Sequence, residues 1–261
     1  MLKYAQIQEA KHIMHGKQPN GLLTQKKMLR SAIALFLEKG YEKATTAEIA
    51  RGAGMTPSSF FRAYPSKEAL LLELVKQMFS NQFAEAERQA GETDFLMMYA
   101  VETALQMHLA ELSEPMRDLY VTSYSLPSTS AYIYRNTAKR LQTIFSPYLP
   151  ALQEKDFYEL DIASASIMRG FMSVPCDIYF TMEQKLRRYF ECTFKLYDVP
   201  KERRDAVIEQ IVRMDFRPTA VAMVQGMIRK FDVPLDTSAP ADAARVYLKT
   251  GEVTGSEEFL R

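Results

Sequence analysis

The heptapeptide Thr56-Pro57-Ser58-Ser59-Phe60-Phe61-Arg62 gathers three hydroxyl side chains and one guanidinium. Thr56, Ser58 and Ser59 are short hydrogen-bonding groups suited to phosphate oxygens. Arg62 is the one side chain of the stretch able to pair with both O6 and N7 of a guanine. This is the chemistry of recognition, not of bond making. Two readings of Arg62 stay open: it reads a base edge, or it holds a phosphate and carries no sequence information.

Such a segment works only when it sits on a short, lightly built helix, and the flanking residues encode one. Thr45 with Glu48 three residues on forms a capping pair, in which each side chain satisfies the other's exposed backbone N–H. Ile49, Ala50 and Ala53 follow as a short apolar stripe, and Gly54 stands where a helix end needs tolerance of positive φ. Thr56 is the cap expected for the next helix, with Pro57 at its first position, where a missing N–H costs nothing. Phe60 is the residue this helix turns inward, which leaves Ser58, Ser59, Phe61 and Arg62 pointing outward or sideways. Tyr64-Pro65 ends it, because the residue before a proline avoids the α region. Ser66 caps a longer helix over 66–79, whose Leu70, Leu71, Leu74, Val75, Met78 and Phe79 recur at helical spacing. The pattern predicts two short helices joined by a tight turn, the way a chain offers a helix to the major groove. The plainer alternative is three short helices in an ordinary helical core.

Upstream, Ala32, Leu35 and Phe36 precede Lys39-Gly40-Tyr41. Then come Thr45-Thr46, Ile49-Ala50, Ala53-Gly54-Met55-Thr56, the aromatic Phe61, and Ser66-Lys67-Glu68-Ala69-Leu70. From about Thr24 to Phe79 the order and spacing of these markers resemble the TetR family of one-component transcriptional regulators. The resemblance implies an all-α protein, with an N-terminal three-helix DNA-binding head followed by a larger helical ligand-binding and dimerisation body. It assigns Thr45 and Thr46 to the phosphate backbone and Thr56, Pro57, Ser58 and Ser59 to the leading edge of the recognition helix. Lys67 matches a lysine that meets phosphate at the start of the following helix. Phe61 matches a position that is usually a phosphate-bonding tyrosine, so one hydroxyl contact is missing here. Ser58 stands where many members carry glycine, Ala63 where many carry histidine, and Tyr64, counted with the DNA-binding residues, replaces a common phenylalanine.

Composition agrees with that division. The chain has 261 residues, 47% hydrophobic and 25% charged, with a formal net charge of +1. The small net charge hides an asymmetry: residues 1–80 hold 12 Lys and Arg against 6 Asp and Glu, and the remainder holds 21 against 26. A basic head suits phosphate, which supplies most of the affinity for DNA. The two cysteines, Cys176 and Cys192, have no metal-type spacing and suggest no disulfide framework. His12 and His15 are spaced as a solvent-facing pair more than as metal ligands. No signal peptide and no apolar run of about 18 residues is present, so a cytoplasmic protein without membrane contact is expected. No nucleophile elbow, phosphate loop, metal cluster or dinucleotide fingerprint appears, and neither enzyme activity nor a cofactor is expected.

Four segments follow: an N-terminal arm over 1–23, the helix-turn-helix domain over 24–80, the body over 81–234 and a tail over 235–261. In the arm, Tyr4 to His15 could be helical and Gly16 to Gly21 reads as a break. The arm either touches DNA or is a loosely packed end. The body reads as helices near 94–112, 114–126, 128–146, 156–174, 181–197, 200–214 and 217–230, punctuated by prolines. Residues 94–230 hold ten of the fifteen methionines and ten of the fourteen tyrosines. Both residue types suit a pocket for a mixed-polarity molecule, and both also suit a plain core. Tyr120, Tyr124, Met168, Arg169, Met172, Asp177 and Tyr179 are the pocket candidates, in the mid-body helices that surround the effector in the resembling family. Arg169 lies among Ile167, Met168, Gly170, Phe171 and Met172, and either pairs with Asp161 or Asp177 or meets an anionic ligand. In that family the last helices of the body pair two subunits. Here this points to 156–174 and 200–230, with Ser164, Ala165, Ser166 and Gly170 allowing close approach.

The expectation is therefore a homodimeric regulator on a palindromic double-stranded DNA operator, most simply a repressor released by a small-molecule effector. The rival is a helical ligand- or protein-binding module that has kept the head but no longer binds DNA productively.

Overall fold

A computed structural model describes residues 19–90 and 94–231. These form eleven helices and, among the described residues, no strand. The N-terminal four are α1 (Pro19–Lys43), α2 (Thr46–Gly52), α3 (Pro57–Ala63) and α4 (Lys67–Ala90). The rest are α5 (Phe95–Ala110), α6 (Glu114–Ser123), α7 (Pro127–Phe145), α8 (Glu154–Ser173), α9 (Met182–Leu196), α10 (Lys201–Ile211) and α11 (Arg217–Lys230).

The first three helices pack around one small core, in which Met28, Ala32, Phe36, Ile49, Ala50 and Phe60 are fully or almost fully buried. Helix α4 closes that core with Leu70, Leu71, Leu74 and Val75, then runs on to α5 and α7. It is longer than the expected 66–79. The periodic leucines marked only the part that covers the first core, and helical hydrogen bonding continues past them to Ala90.

Helix α5 is the axis of the remainder. It is buried on nearly every side, as expected of a helix that is apolar all round. Helices α4, α6, α7, α9, α10 and α11 pack against it. Side-chain caps start several of these helices: Asp94 accepts from the Met97 N–H, Ser113 from the Met116 N–H and Thr181 from the Gln184 N–H.

One further expectation needs correction. The break over Gly16–Gly21 fails at its C-terminal end, because α1 already begins at Pro19, where proline serves as the first helical residue. The irregularity of α1 lies instead at Gly40, with φ 82° and ψ 170°. The proposed helix Tyr4 to His15, the pair His12 and His15, and the tail 235–261 lie outside the described residues.

Candidate nucleic-acid interface and an interior cavity

The turn between α2 and α3 is built as its residues dictate. Thr45 Oγ1 accepts from the Glu48 N–H while the Glu48 carboxylate accepts from the Thr45 N–H at 2.9 Å, a complete capping box. Lys39 on α1 donates to the same carboxylate at 2.6 Å, pinning the start of α2 to α1. That lysine bond, with the Thr45 bonds behind it, holds the Glu48 carboxyl down to about 2. Gly54 sits at φ 71°, in the left-handed region that lets the chain reverse between the helices.

On α3, Phe60 is fully buried and Phe61, its neighbour, is 61% exposed. Thr56 occupies the cap position with Pro57 in the first turn, but its side chain makes no capping bond. Its hydroxyl instead pairs with Ser58 Oγ at 3.1 Å and Ser59 Oγ at 2.9 Å. Arg62 donates to Ser59 Oγ at 3.0 Å. The leading edge is thus one connected network of hydroxyls ending on the guanidinium. Ser59, expected outward or sideways, is buried and serves the network from within, while Pro57, Ser58, Phe61 and Arg62 are exposed. Thr45 is exposed and Thr46 half-buried, beside this face.

Two residues expected at the DNA edge are turned inward. The Tyr64 ring is buried against Phe60, and its hydroxyl donates to the Gln25 carbonyl at 3.4 Å. The extended backbone before Pro65 rotates this ring off the α3 surface. Lys67 donates to the carbonyls of Tyr41 at 2.9 Å and Ala44 at 3.1 Å, and lies 4.1 Å from the centre of the Tyr41 ring. Its ammonium satisfies carbonyls at the C-terminal end of α1, and burial pulls its pKa down.

The three-helix unit is joined to the remainder through α1, α4 and α6. The Glu42 N–H donates to Asp118 on α6 at 3.2 Å, and a Cβ on Gly40 would lie 2.6 Å from the same carboxylate. Glu68, in the first turn of α4, accepts from the Ser128 N–H at the start of α7 at 2.8 Å.

Between α4, α5, α6, α7, α8 and α9 lies a cavity of about 50 Å³. Its wall alternates rings and aliphatics (Phe79, Tyr99, Ile133, Met168) with ionisable or amide groups (Glu102, Gln106, Arg140, Asp161). Tyr124 donates to Gln106 at 2.7 Å, Tyr99 and Tyr189 share a hydrogen bond of 2.9 Å, and Arg140 pairs with Glu102 at 2.9 Å. Burial pushes the phenols of Tyr99 and Tyr124 well up and that of Tyr189 to about 12, so all three are neutral hydroxyls.

Of the pocket candidates, Tyr124 and Met168 line this cavity. Tyr120 and Met172 are buried in the surrounding core. Arg169, Asp177 and Tyr179 are exposed, so they lie off the cavity. Helical rotation sends Met168 and Met172 inward and Arg169 outward, and Asp177 spends its carboxylate on the N–H groups of Tyr179 and Phe180 in a turn. Arg169 makes no ion pair with Asp161 or Asp177.

The family match falls on the helix-turn-helix and its flanking helices. The family model for bacterial regulatory proteins of the tetR family matches residues 28–74. The HTH-type transcriptional regulator YuxN of Bacillus subtilis, itself uncharacterized, is 34% identical over 229 residues, covering 84% of this chain and 69% of that protein. The chain belongs to the TetR family. YvkB, another uncharacterized HTH-type regulator of Bacillus subtilis, is 27% identical over 135 residues, 51% of this chain and 69% of that protein. TcmR of Streptomyces glaucescens, an HTH-type transcriptional regulator, is 36% identical over 76 residues, 29% of this chain and 34% of that protein. No solved structure gives a significant match.

As a TetR-family protein, this chain is a DNA-binding transcriptional regulator whose helix-turn-helix is α2–α3. Among the described residues no helix is long and apolar enough to cross a membrane. Sequence reasoning missed most of the cavity wall, and two signals could have found it. Glu102 and Gln106 are four apart in a helix that is otherwise almost wholly apolar. Asp161 interrupts the stripe Phe157, Ala165, Met168 and Met172 on α8, the one charge on a buried face.

Proposed function

We propose that the chain is a homodimeric repressor that a small molecule releases from a palindromic operator. In this reading residues 24–80 are the DNA-binding domain and 81–234 the ligand-binding and dimerisation domain, with 1–23 an arm and 235–261 a tail. DNA contacts fall on Thr45, Thr46, Thr56, Pro57, Ser58, Ser59, Phe61 and Arg62. The protein acts in the cytoplasm without cofactor or catalysis.

The observation that carries the reading is the position of the cavity. Phe79 of α4 and Tyr124, which ends α6, both border it. On the N-terminal side of these residues lie the contacts with the DNA-binding head: α4 begins directly after α3, and Asp118 of α6 receives the Glu42 N–H at the end of α1. A ligand that favours a shifted α4 or α6 therefore favours a different placement of α3. Two recognition helices read successive major grooves when they stand about 34–36 Å apart. A differential binding energy of about 1–3 kcal/mol between two such placements changes operator occupancy substantially.

The second subunit finds a surface on α8, where Ile162, Ser166 and Gly170 face outward; Ser164 and Ala165 are spent inside the subunit. Fluorescence anisotropy on the DNA just upstream of the coding region, at two salt concentrations, tests the DNA part. Equal operator affinity with and without every compound that binds the protein would sink the release mechanism. Arg62→Ala separates the two readings of that side chain. Loss of about 1–3 kcal/mol with relaxed preference at one base pair marks base reading, and a uniform loss across operator variants marks a phosphate contact.

A further inference from the structure

Among the described residues, the carboxylate of Asp161 has no counter-ion. The residue is 7% exposed, lines the cavity, and accepts from the hydroxyls of Thr137 and, at 2.9 Å, Ser164. Among the described residues it takes part in no ion pair. The other two formal charges of the wall, Glu102 and Arg140, are paired with each other. The lining therefore carries one uncompensated negative charge, in a setting where an unpaired charge is costly. The rings of Phe79, Tyr99, Tyr124 and Tyr189 share the lining, and aromatic rings attract cations.

We propose, resting on the ligand-responsive reading above, that this cavity binds a compact primary ammonium ion. Its N–H groups meet Asp161, and its alkyl part lies against Phe79, Tyr124 and Met168. An ammonium is donor only, so it suits a wall whose unmatched group is a buried acceptor. A carboxylate or phosphate ligand would meet like charge, and a neutral alcohol would leave the charge uncompensated. Size sets a further limit: about 50 Å³ holds a molecule of a few heavy atoms, far below a drug-sized ligand. Burial already holds the Asp161 carboxyl up at about 6, a cost that a neighbouring cation offsets.

Calorimetry on the full chain with butylammonium, butanol and butanoate tests the class, since the three share a shape and differ in charge. Butylammonium is expected to bind at least about tenfold more tightly than butanol, equivalent to about 1.4 kcal/mol, and butanoate not to bind. In Asp161→Asn the gap between butylammonium and butanol is expected to close. The wild-type comparison decides the class even if that variant folds poorly. Butanol binding as tightly as butylammonium, butanoate binding more tightly, or no binding of butylammonium overturns the proposal. Operator affinity measured in parallel separates the two readings. Butylammonium that binds and leaves operator affinity unchanged supports the site and counts against release through this cavity by that ligand. Operator release by butanol or butanoate alone does the reverse.

Discussion

In the helix-turn-helix, Glu48 is partly exposed, bonded by Lys39 and Thr45, and its carboxyl is held down to about 2. In the body, Asp161 is buried among hydroxyls with no cation among the described residues, and its carboxyl is pushed up to about 6. One carboxylate fixes the start of a helix and costs the fold little. The other is an expense the fold tolerates in the wall of a cavity. Groups that fix structure are matched by their own chain, and a group left unmatched in the interior marks a place where something from outside can complete the match.

The largest expected effect lies at the junction of the two regions. Gly40 combines φ 82° with ψ 170°, a conformation essentially confined to glycine, and its missing Cβ leaves room for Asp118. Gly40→Ala is expected to destabilise the protein by about 3 kcal/mol, from backbone strain plus loss of the Glu42 to Asp118 bond. Urea denaturation of the full chain measures it. A cost under about 0.5 kcal/mol would mean that α6 slides freely against α1, which would remove the link through which the cavity speaks to the turn.

Next in size is Asp161, with the opposite sign. A carboxyl whose folded pKa of about 6 stands above its ordinary 3.8 holds its proton more tightly when folded. Stability from this group is therefore full below about pH 4, falls as pH rises through about 6, and stays lower above that. The shift corresponds to about 3 kcal/mol at most. Asp161→Asn keeps an acceptor for Thr137 and Ser164 without the charge, so it is expected to stabilise by about 2 kcal/mol at pH 8 and to change little at pH 4. Urea midpoints at the two pH values check this. Equal effects at both would show that the gain is packing rather than charge.

The same contrast explains what the sequence made legible. Thr45 with Glu48, Gly54, Pro57 and Tyr64-Pro65 act over a few residues of chain, so their roles could be read in order and the turn emerged as expected. The cavity is assembled from six helices, and no local pattern says that Glu102 will find Arg140 or that Tyr99 will find Tyr189. Arg169 shows the limit within a single helix. Its apolar neighbours suggested burial, but only the phase of α8, set by Phe157, Ala165 and Met172, decides which way it faces. Lys67 shows a further one: the carbonyls of Tyr41 and Ala44 that hold it come from the far end of α1.

Lys67 supplies a smaller test of how far the helix-turn-helix is internally matched. If its ammonium serves those two carbonyls, Lys67→Gln costs about 1–2 kcal/mol of stability and leaves the salt dependence of operator binding unchanged. If it reaches phosphate instead, stability barely moves and the slope of log affinity against log salt falls by about one. Denaturation and anisotropy on the same variant distinguish the two.

The smallest effect asks whether the start of α2 is fixed by its own residues or by α1. Thr45→Ala removes the cap and the hydroxyl bond to Glu48, leaving the Thr45 backbone bond and Lys39 in place. The expected loss is about 1 kcal/mol. Because Lys39 is the largest influence on the Glu48 carboxyl, its pKa should rise only part of the way from about 2 toward its ordinary 4.5. The stability that Glu48 contributes is present above about pH 4.5 and is lost as pH falls toward about 2, the reverse of Asp161. Carbon-detected NMR titration of Glu48 in wild type and Thr45→Ala reads this directly. No shift at all would mean that Lys39 and the residue-45 backbone N–H hold the carboxylate without help from the hydroxyl, and that the side-chain half of the capping pair read from the sequence is a consequence of how α1 and α2 pack rather than its cause.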